Sequence, residues 1–146
     1  MRIIFADTGY WVALLNPNDD LHPKAQALST SLNPMHLVTS EMVLTEVLND
    51  FSKRGEYFRR VALKLVKSLY EHPNVTIISQ TSTQFQQGLL LYEQRPDKEW
   101  SHTDCVSFQI MQEQGIAEAL AYDKHFVQAG FIALLRNCQE RFCSSY

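Results

Sequence analysis

The stretch Ile3-Ile4-Phe5-Ala6-Asp7-Thr8-Gly9-Tyr10-Trp11 decides the fold. Its apolar start, rich in Ile and Phe, reads as a short buried strand over residues 2–6. That strand ends on a carboxylate, a group that is costly to bury. Trp11, Val12, Leu14 and Leu15 then recur at helical spacing, so a helix over Thr8–Leu15 is expected. The same grammar returns in Glu118–Phe126, EALAYDKHF, where Leu120, Ala121 and Tyr122 lead into Asp123. Two apolar runs that both stop at an acid call for a shared reason.

The chain between them alternates in kind. A helix is expected over His22–Leu32, with Pro23 in its first turn and Asn33-Pro34 stopping it. A brief strand at His36–Thr39 leads to a helix over Glu41–Ser52, whose Val43, Leu44, Val47, Leu48 and Phe51 make one apolar stripe. Gly55 separates it from a helix over Glu56–Glu71, and Pro73-Asn74 precedes a β-branched strand at Val75–Ser79. Helices over Gln84–Gln94 and Thr103–Gln114 follow, the first broken by Arg95-Pro96 and the second ended by Gly115. Strands are expected at Ala117–Tyr122 and Phe131–Leu135. Strands alternating with helices imply βαβ units, hence an α/β fold: three layers, α/β/α, around a central, mostly parallel sheet. In open parallel sheets, sites form outside the carboxyl ends of the strands. Asp7 and Asp123 both stand where a strand ends, so both belong on one rim.

Composition sets the outer limits. A chain of 146 residues suits a single domain over 1–146. With 45% hydrophobic and 20% charged residues it reads as a globular protein, with neither repeats nor low complexity. No apolar run reaches the ~18 residues of a membrane span, and the acid at position 7 speaks against a signal peptide. Three cysteines, Cys105, Cys138 and Cys143, form no CxxC pair. Reduced thiols in a cytoplasm are therefore expected, rather than a disulfide or zinc framework. The net charge of −3 means that a nucleic-acid ligand would need a local basic patch or bound cations.

Two further acids can reach the rim. Glu46 lies in the second turn of the helix after the 36–39 strand, and Asp104 at the start of the helix in EWSHTDCVSF. If Asp7, Glu46, Asp104 and Asp123 meet, they repel: two charges ~4 Å apart cost about 4 kcal/mol at an effective dielectric near 20. Protonation or a cation must relieve this. Carboxylates alone make a hard oxygen site, suited to Mg²⁺ or Mn²⁺. Such ions assist hydrolysis of phosphate esters. Each acid also has a plainer reading. Asp7 suits an N-cap, Ser101–Asp104 a capping box, Glu46 a solvated helix position, and Asp123 the start of a turn. Spacing alone does not decide between convergence and these roles.

Together IIFADTGYWVALLN, TSEMVLTEVLNDF, DKEWSHTDCVSF and ALAYDKHFVQAGF resemble, in order and over nearly the whole chain, a PIN-domain ribonuclease of the VapC-like toxin branch of toxin–antitoxin systems. The resemblance implies a metal site at Asp7, Glu46, Asp104 and Asp123, supported by Thr8 and Thr103. It implies endonucleolytic cleavage of RNA, a homodimer and a small cognate antitoxin. Two positions depart from the usual pattern: Ala121 stands where Ser or Thr is common, and Gly9 follows Thr8.

A substrate surface is suggested by Lys53, Arg54, Arg59, Arg60, Lys64 and Lys67, six of the thirteen basic residues. Arg60, Lys64 and Lys67 share a helical face, which serves phosphate contact or plain solvation. Tyr10, Trp11 and Trp100 suit base stacking or, more commonly, the core. His102 and His125 flank two of the acids and read first as packing or surface residues, and Asp97 as an exposed loop acid. Rival functions are an aspartyl-phosphate hydrolase, which lacks its second acid here, a non-catalytic interaction module, and a nuclease of RNA maturation.

Overall fold

The computed structural model describes residues 1–136. Its elements run β1 (Arg2–Ala6), α1 (Thr8–Leu15), α2 (His22–Ser31), β2 (Met35–Ser40), α3 (Glu41–Phe51), α4 (Glu56–Glu71), β3 (Val75–Ile78), α5 (Ser82–Gln94), α6 (His102–Gln114), β4 (Glu118–Leu120), α7 (Lys124–Gln128) and β5 (Ile132–Ala133). The five strands form one sheet in the order β3-β2-β1-β4-β5. Every pairing is parallel, so the sheet goes beyond the mostly parallel one expected. Helices flank it, giving the expected α/β architecture.

β1 is the hub. Phe5 faces Val38 in β2 and Ala119 in β4, and Ala6 pairs with Leu120. Ile4, Phe5 and Ala6 are all fully buried, which requires cover on both faces and explains why this strand reads as an unbroken apolar run. The chain leaves β1 toward β2 and β3 on one side, then crosses through α5 and α6 to β4 on the other. The direction of winding reverses between β1 and β4, and a crevice opens at that point.

Local chemistry sets the helix starts around the crevice. Ser40 caps α3 by accepting from the Val43 backbone, Thr81 caps α5 through Gln84, and Ser101 and Asp104 complete the capping box of α6. Gly115 ends α6 in the left-handed conformation that a residue with Cβ rarely adopts. α5 and α6 approach closely at Gly88, where an added Cβ would stand 2.5 Å from Val106 Cγ2.

Two expectations need correction, and the commoner reading of the aromatic residues, the core, holds. The strands expected at Ala117–Tyr122 and Phe131–Leu135 are shorter, because Ala121, Leu134 and Leu135 are buried without joining the ladder. The short helix α7 was not foreseen. Tyr10, Trp11 and Trp100 are core residues: Trp11 Nε1 donates to Thr39 Oγ1 at 3.4 Å and Trp100 Nε1 to Gln128 Oε1 at 3.0 Å. Burial excludes them as base-stacking platforms. Cys105 is a buried free thiol, whereas Cys138 and Cys143 lie outside the described residues. Among those residues no helix is long and apolar enough to cross a membrane.

Candidate metal centre

Asp7 occupies the residue before α1, where its backbone is already committed. Its N–H donates to the Leu120 carbonyl at 3.1 Å, tying the end of β1 to β4, and its own carbonyl accepts from Tyr10. Its side chain, however, makes no capping hydrogen bond. The capping role open to it in the sequence is therefore not the one its carboxylate fills. That carboxylate is half-buried, and its pKa is raised to about 7. Desolvation is the main cause, with further upward pushes from Asp104, Glu46 and Asp123, while the Thr8 backbone N–H pulls the other way. The direction of the shift agrees with the geometry: Asp7, Glu46 and Asp123 line one cleft, and His125 joins Asp104 to Asp123.

Each partner arrives on its own element. α3 follows β2 and carries Glu46, whose Oε1 accepts from the Thr8 hydroxyl at 2.6 Å. Asp104 lies in the first turn of α6, a helix that begins at the carboxyl rim because it runs back against the strands. Its Oδ2 accepts from Ser101 N at 3.1 Å and from His125 Nδ1 at 3.0 Å. Asp123 is the N-cap of α7, its Oδ1 accepting from His125 N at 3.0 Å and lying 3.3 Å from His125 Nδ1. The plain capping roles of Asp104 and Asp123 are thus real, and they leave one carboxylate oxygen of each uncommitted. Capping and convergence coexist.

His125 corrects its reading as a surface or packing residue. Its ring is mostly buried and bridges Asp104 and Asp123. Ligand atoms of Asp104, Asp123 and His125 lie within 4.8 Å of one another, a spacing that suits a shared cation. Sequence gave no lead beyond its place two residues after an acid. His102 is a packing residue, its Nε2 3.0 Å from the Phe85 carbonyl and its ring against the Phe85 ring. Asp97 pairs with Arg95 through two contacts, at 3.0 and 2.9 Å, and that guanidinium holds it down at about 2. Thr103 stands beside Asp104 in α6, and neither residue lines the cleft; Asp104 reaches the centre through His125, which also meets Asp123.

A cleft of about 830 Å³ opens over the centre, lined by Asp7, Thr8, Glu46 and Asp123. Arg54, Lys124 and Arg136 also line it. Of the basic residues singled out in the sequence, only Arg54 reaches this cleft; Lys53, Arg60, Lys64 and Lys67 are exposed elsewhere. A larger cavity, about 1080 Å³, lies between α5, α6 and the 95–100 loop. It contains none of the four acids, so size does not mark the site here.

The donor set fits a hard divalent ion. It offers carboxylate oxygens and one imidazole, no thiolate, and a desolvated acid whose ionisation a cation would restore. The centre as a whole can concentrate positive charge at the point where the sheet's winding reverses.

Comparison with known proteins agrees with this architecture. The PIN domain family model matches residues 4–132. The 23S rRNA-specific endonuclease VapC20 of Mycobacterium tuberculosis, from two strains, is 31% identical over 130 residues, which span 89% of this chain and 96% of that protein. The crystal structure of VapC20, described as a Sarcin-Ricin loop cleaving toxin, superposes with a TM-score of 0.80 at 30% identity, covering 89% of this chain and 97% of the other. With the family match spanning most of its length and the fold shared throughout, the chain belongs to the PIN-domain family.

Proposed function

We propose that this protein is an endoribonuclease that uses Mg²⁺ or Mn²⁺ held by Asp7, Glu46, Asp104 and Asp123. The observation that carries the reading is the convergence of three distant acids on a desolvated Asp7. A purely structural role gives no reason to gather like charges in a cleft. When bound, the cation would supply Lewis-acid stabilisation of the charge growing on the phosphoryl oxygens.

The chain's own residues do the rest. Asp104 and Asp123 are fixed by α6 and α7 and by His125, so their uncommitted oxygens need little reorganisation. Thr8 engages one oxygen of Glu46 and so orients that carboxylate; Glu46 or Asp104 accepts a proton from the attacking water. That water attacks the phosphodiester in line, the bond to the leaving sugar oxygen breaks, and solvent protonates the leaving oxygen. Arg54, Lys124 and Arg136 offset the negative charge of the backbone as it enters.

The relatives named above, an rRNA-specific endonuclease and a Sarcin-Ricin loop cleaving toxin, support RNA as substrate and a toxin role; pairing with a small antitoxin, a homodimer and action in the cytoplasm belong to the proposal on the family resemblance alone. A non-catalytic module is opposed by the intact acid set. The test is cleavage of RNA by the purified protein in Mn²⁺ and in EDTA, beside Asp7→Asn. Cleavage is expected in the wild type with Mn²⁺ only. Equal cleavage by Asp7→Asn in a clean preparation overturns the proposal.

A further inference from the structure

The aromatic residues that the sequence offered for base stacking are buried, but the cleft carries another. Tyr122 immediately precedes Asp123, lines the acidic cleft and is 45% exposed. Arg136 lines the same cleft. Its Nε donates to the Tyr122 carbonyl at 2.9 Å, and its guanidinium carbon stands 4.7 Å from the centre of the Tyr122 ring. The guanidinium covers one face of the ring, and Tyr122 keeps its 45% exposure with that guanidinium in place.

The cations of the cleft are not equivalent. Arg54 is committed to Asp50 at 2.9 Å and packs over the Phe51 ring. Arg136 is held by a carbonyl instead of a carboxylate, so its charge is not neutralised by an acid among the described residues. Its Nη groups keep the planar fork that suits phosphate. An exposed aromatic ring, a guanidinium pinned by a carbonyl, and a neighbouring acid centre therefore occupy one corner of the cleft.

We infer that Tyr122 and Arg136 form a nucleotide subsite beside the centre. Tyr122 stacks an unpaired nucleobase flanking the scissile phosphate on its free face, and Arg136 binds an adjacent phosphate. This rests on the nuclease reading and assigns two residues to the nucleotide beside the scissile bond, which must be unpaired because a base stacked within a duplex cannot reach the ring.

The test uses the full chain with Tyr122→Ala, Tyr122→Phe and Arg136→Gln. Two fluorescein-labelled probes are titrated by anisotropy in Ca²⁺: a short oligoadenylate RNA and an abasic ribose-phosphate chain of the same length. A gel verifies that both stay intact, and thermal melts verify that the variants fold. Tyr122→Ala is expected to loosen the RNA roughly five- to a hundredfold, the range that stacking of one base spans. Tyr122→Phe should bind like the wild type, and the abasic chain should not distinguish the three. Arg136→Gln should loosen both probes and reduce the salt slope by about 0.7, the value for one phosphate on a single strand. Unchanged RNA binding by Tyr122→Ala overturns the subsite, as does an equal loss on both probes or failure of the wild type to bind the RNA. Tyr122-dependent binding without Mn²⁺-dependent cleavage would retain the subsite and refute the nuclease reading.

Discussion

Asp7→Asn should make the cation-free protein more stable, by an amount that grows with pH. Asp7 is the acid most burdened by its neighbours, its carboxyl raised from 3.8 to about 7. A folded-state pKa above the unfolded value means that the native state holds the proton longer. Stability is then full below 3.8 and is lost as pH rises toward 7, because the unfolded chain gains by ionising first. At 1.36 kcal/mol for each pH unit separating the two values, the loss is about 4 kcal/mol at pH 8 and about 1.5 kcal/mol at pH 5. Asn cannot ionise, so it escapes this loss while keeping the side chain's size. In EDTA, its advantage over wild type should be larger at pH 8 than at pH 5 by roughly 2–3 kcal/mol, or about 5–10 °C in Tm for a chain of this length. Mn²⁺ should reverse the ranking, raising the melting temperature of the wild type far more than that of the variant. Urea and thermal melts at both pH values, with and without Mn²⁺, measure this directly. A variant no more stable than wild type at pH 8, or one whose advantage is the same at both pH values, would refute the idea that Asp7 is held under electrostatic strain.

Other consequences follow from individual contacts. Thr8→Val removes the hydroxyl that holds Glu46 at 2.6 Å and should weaken Mn²⁺ binding by ~10–100-fold, the usual worth of a partner that orients a ligating side chain; calorimetric titration with wild-type affinity would contradict it. His125→Leu loses the bridge between Asp104 and Asp123 and should lower Mn²⁺ affinity about tenfold or more, whereas His125→Asn, which keeps an N–H near the Nδ1 position, should retain most of it. If the two variants titrate alike, the bridging donor is not what matters. Gly88→Ala would gain up to about 1 kcal/mol in an open helix, yet its Cβ would meet Val106 Cγ2 at 2.5 Å, so a net loss of about 1–3 kcal/mol is expected from a thermal melt.

The fold was legible because its signals are local and consistent. Caps, Gly and Pro punctuate the helices, and Ile4, Phe5 and Ala6 announce a strand covered on both faces. The last two strands were overdrawn for the same reason that the first was visible. Burial extends beyond the ladder at Ala121, Leu134 and Leu135, and an apolar run does not reveal where pairing stops. α7 escaped because five residues are too few to display a helical period. The acids were legible as strand and helix termini, but their meeting depends on strand order. Only with β4 paired beside β1 does Asp123 come to Asp7. For the basic cluster, charge density along the chain does not say which way a helix faces, and of its six residues Arg54 alone lines the cleft. His125 and Tyr122 sit within one or two residues of Asp123, yet nothing in their sequence context separates a bridging imidazole or an open ring from ordinary surface residues.

Anomalous diffraction from a crystal soaked in Mn²⁺ tests the metal centre most directly. A peak should appear between Asp7, Asp104 and Asp123, close to the uncommitted oxygens of the last two, and vanish in Asp7→Asn. A fully exchanged crystal with no peak there, or with Mn²⁺ bound only at unrelated surface acids, would mean that the crowded carboxylates serve some purpose other than holding the ion that cleaves RNA.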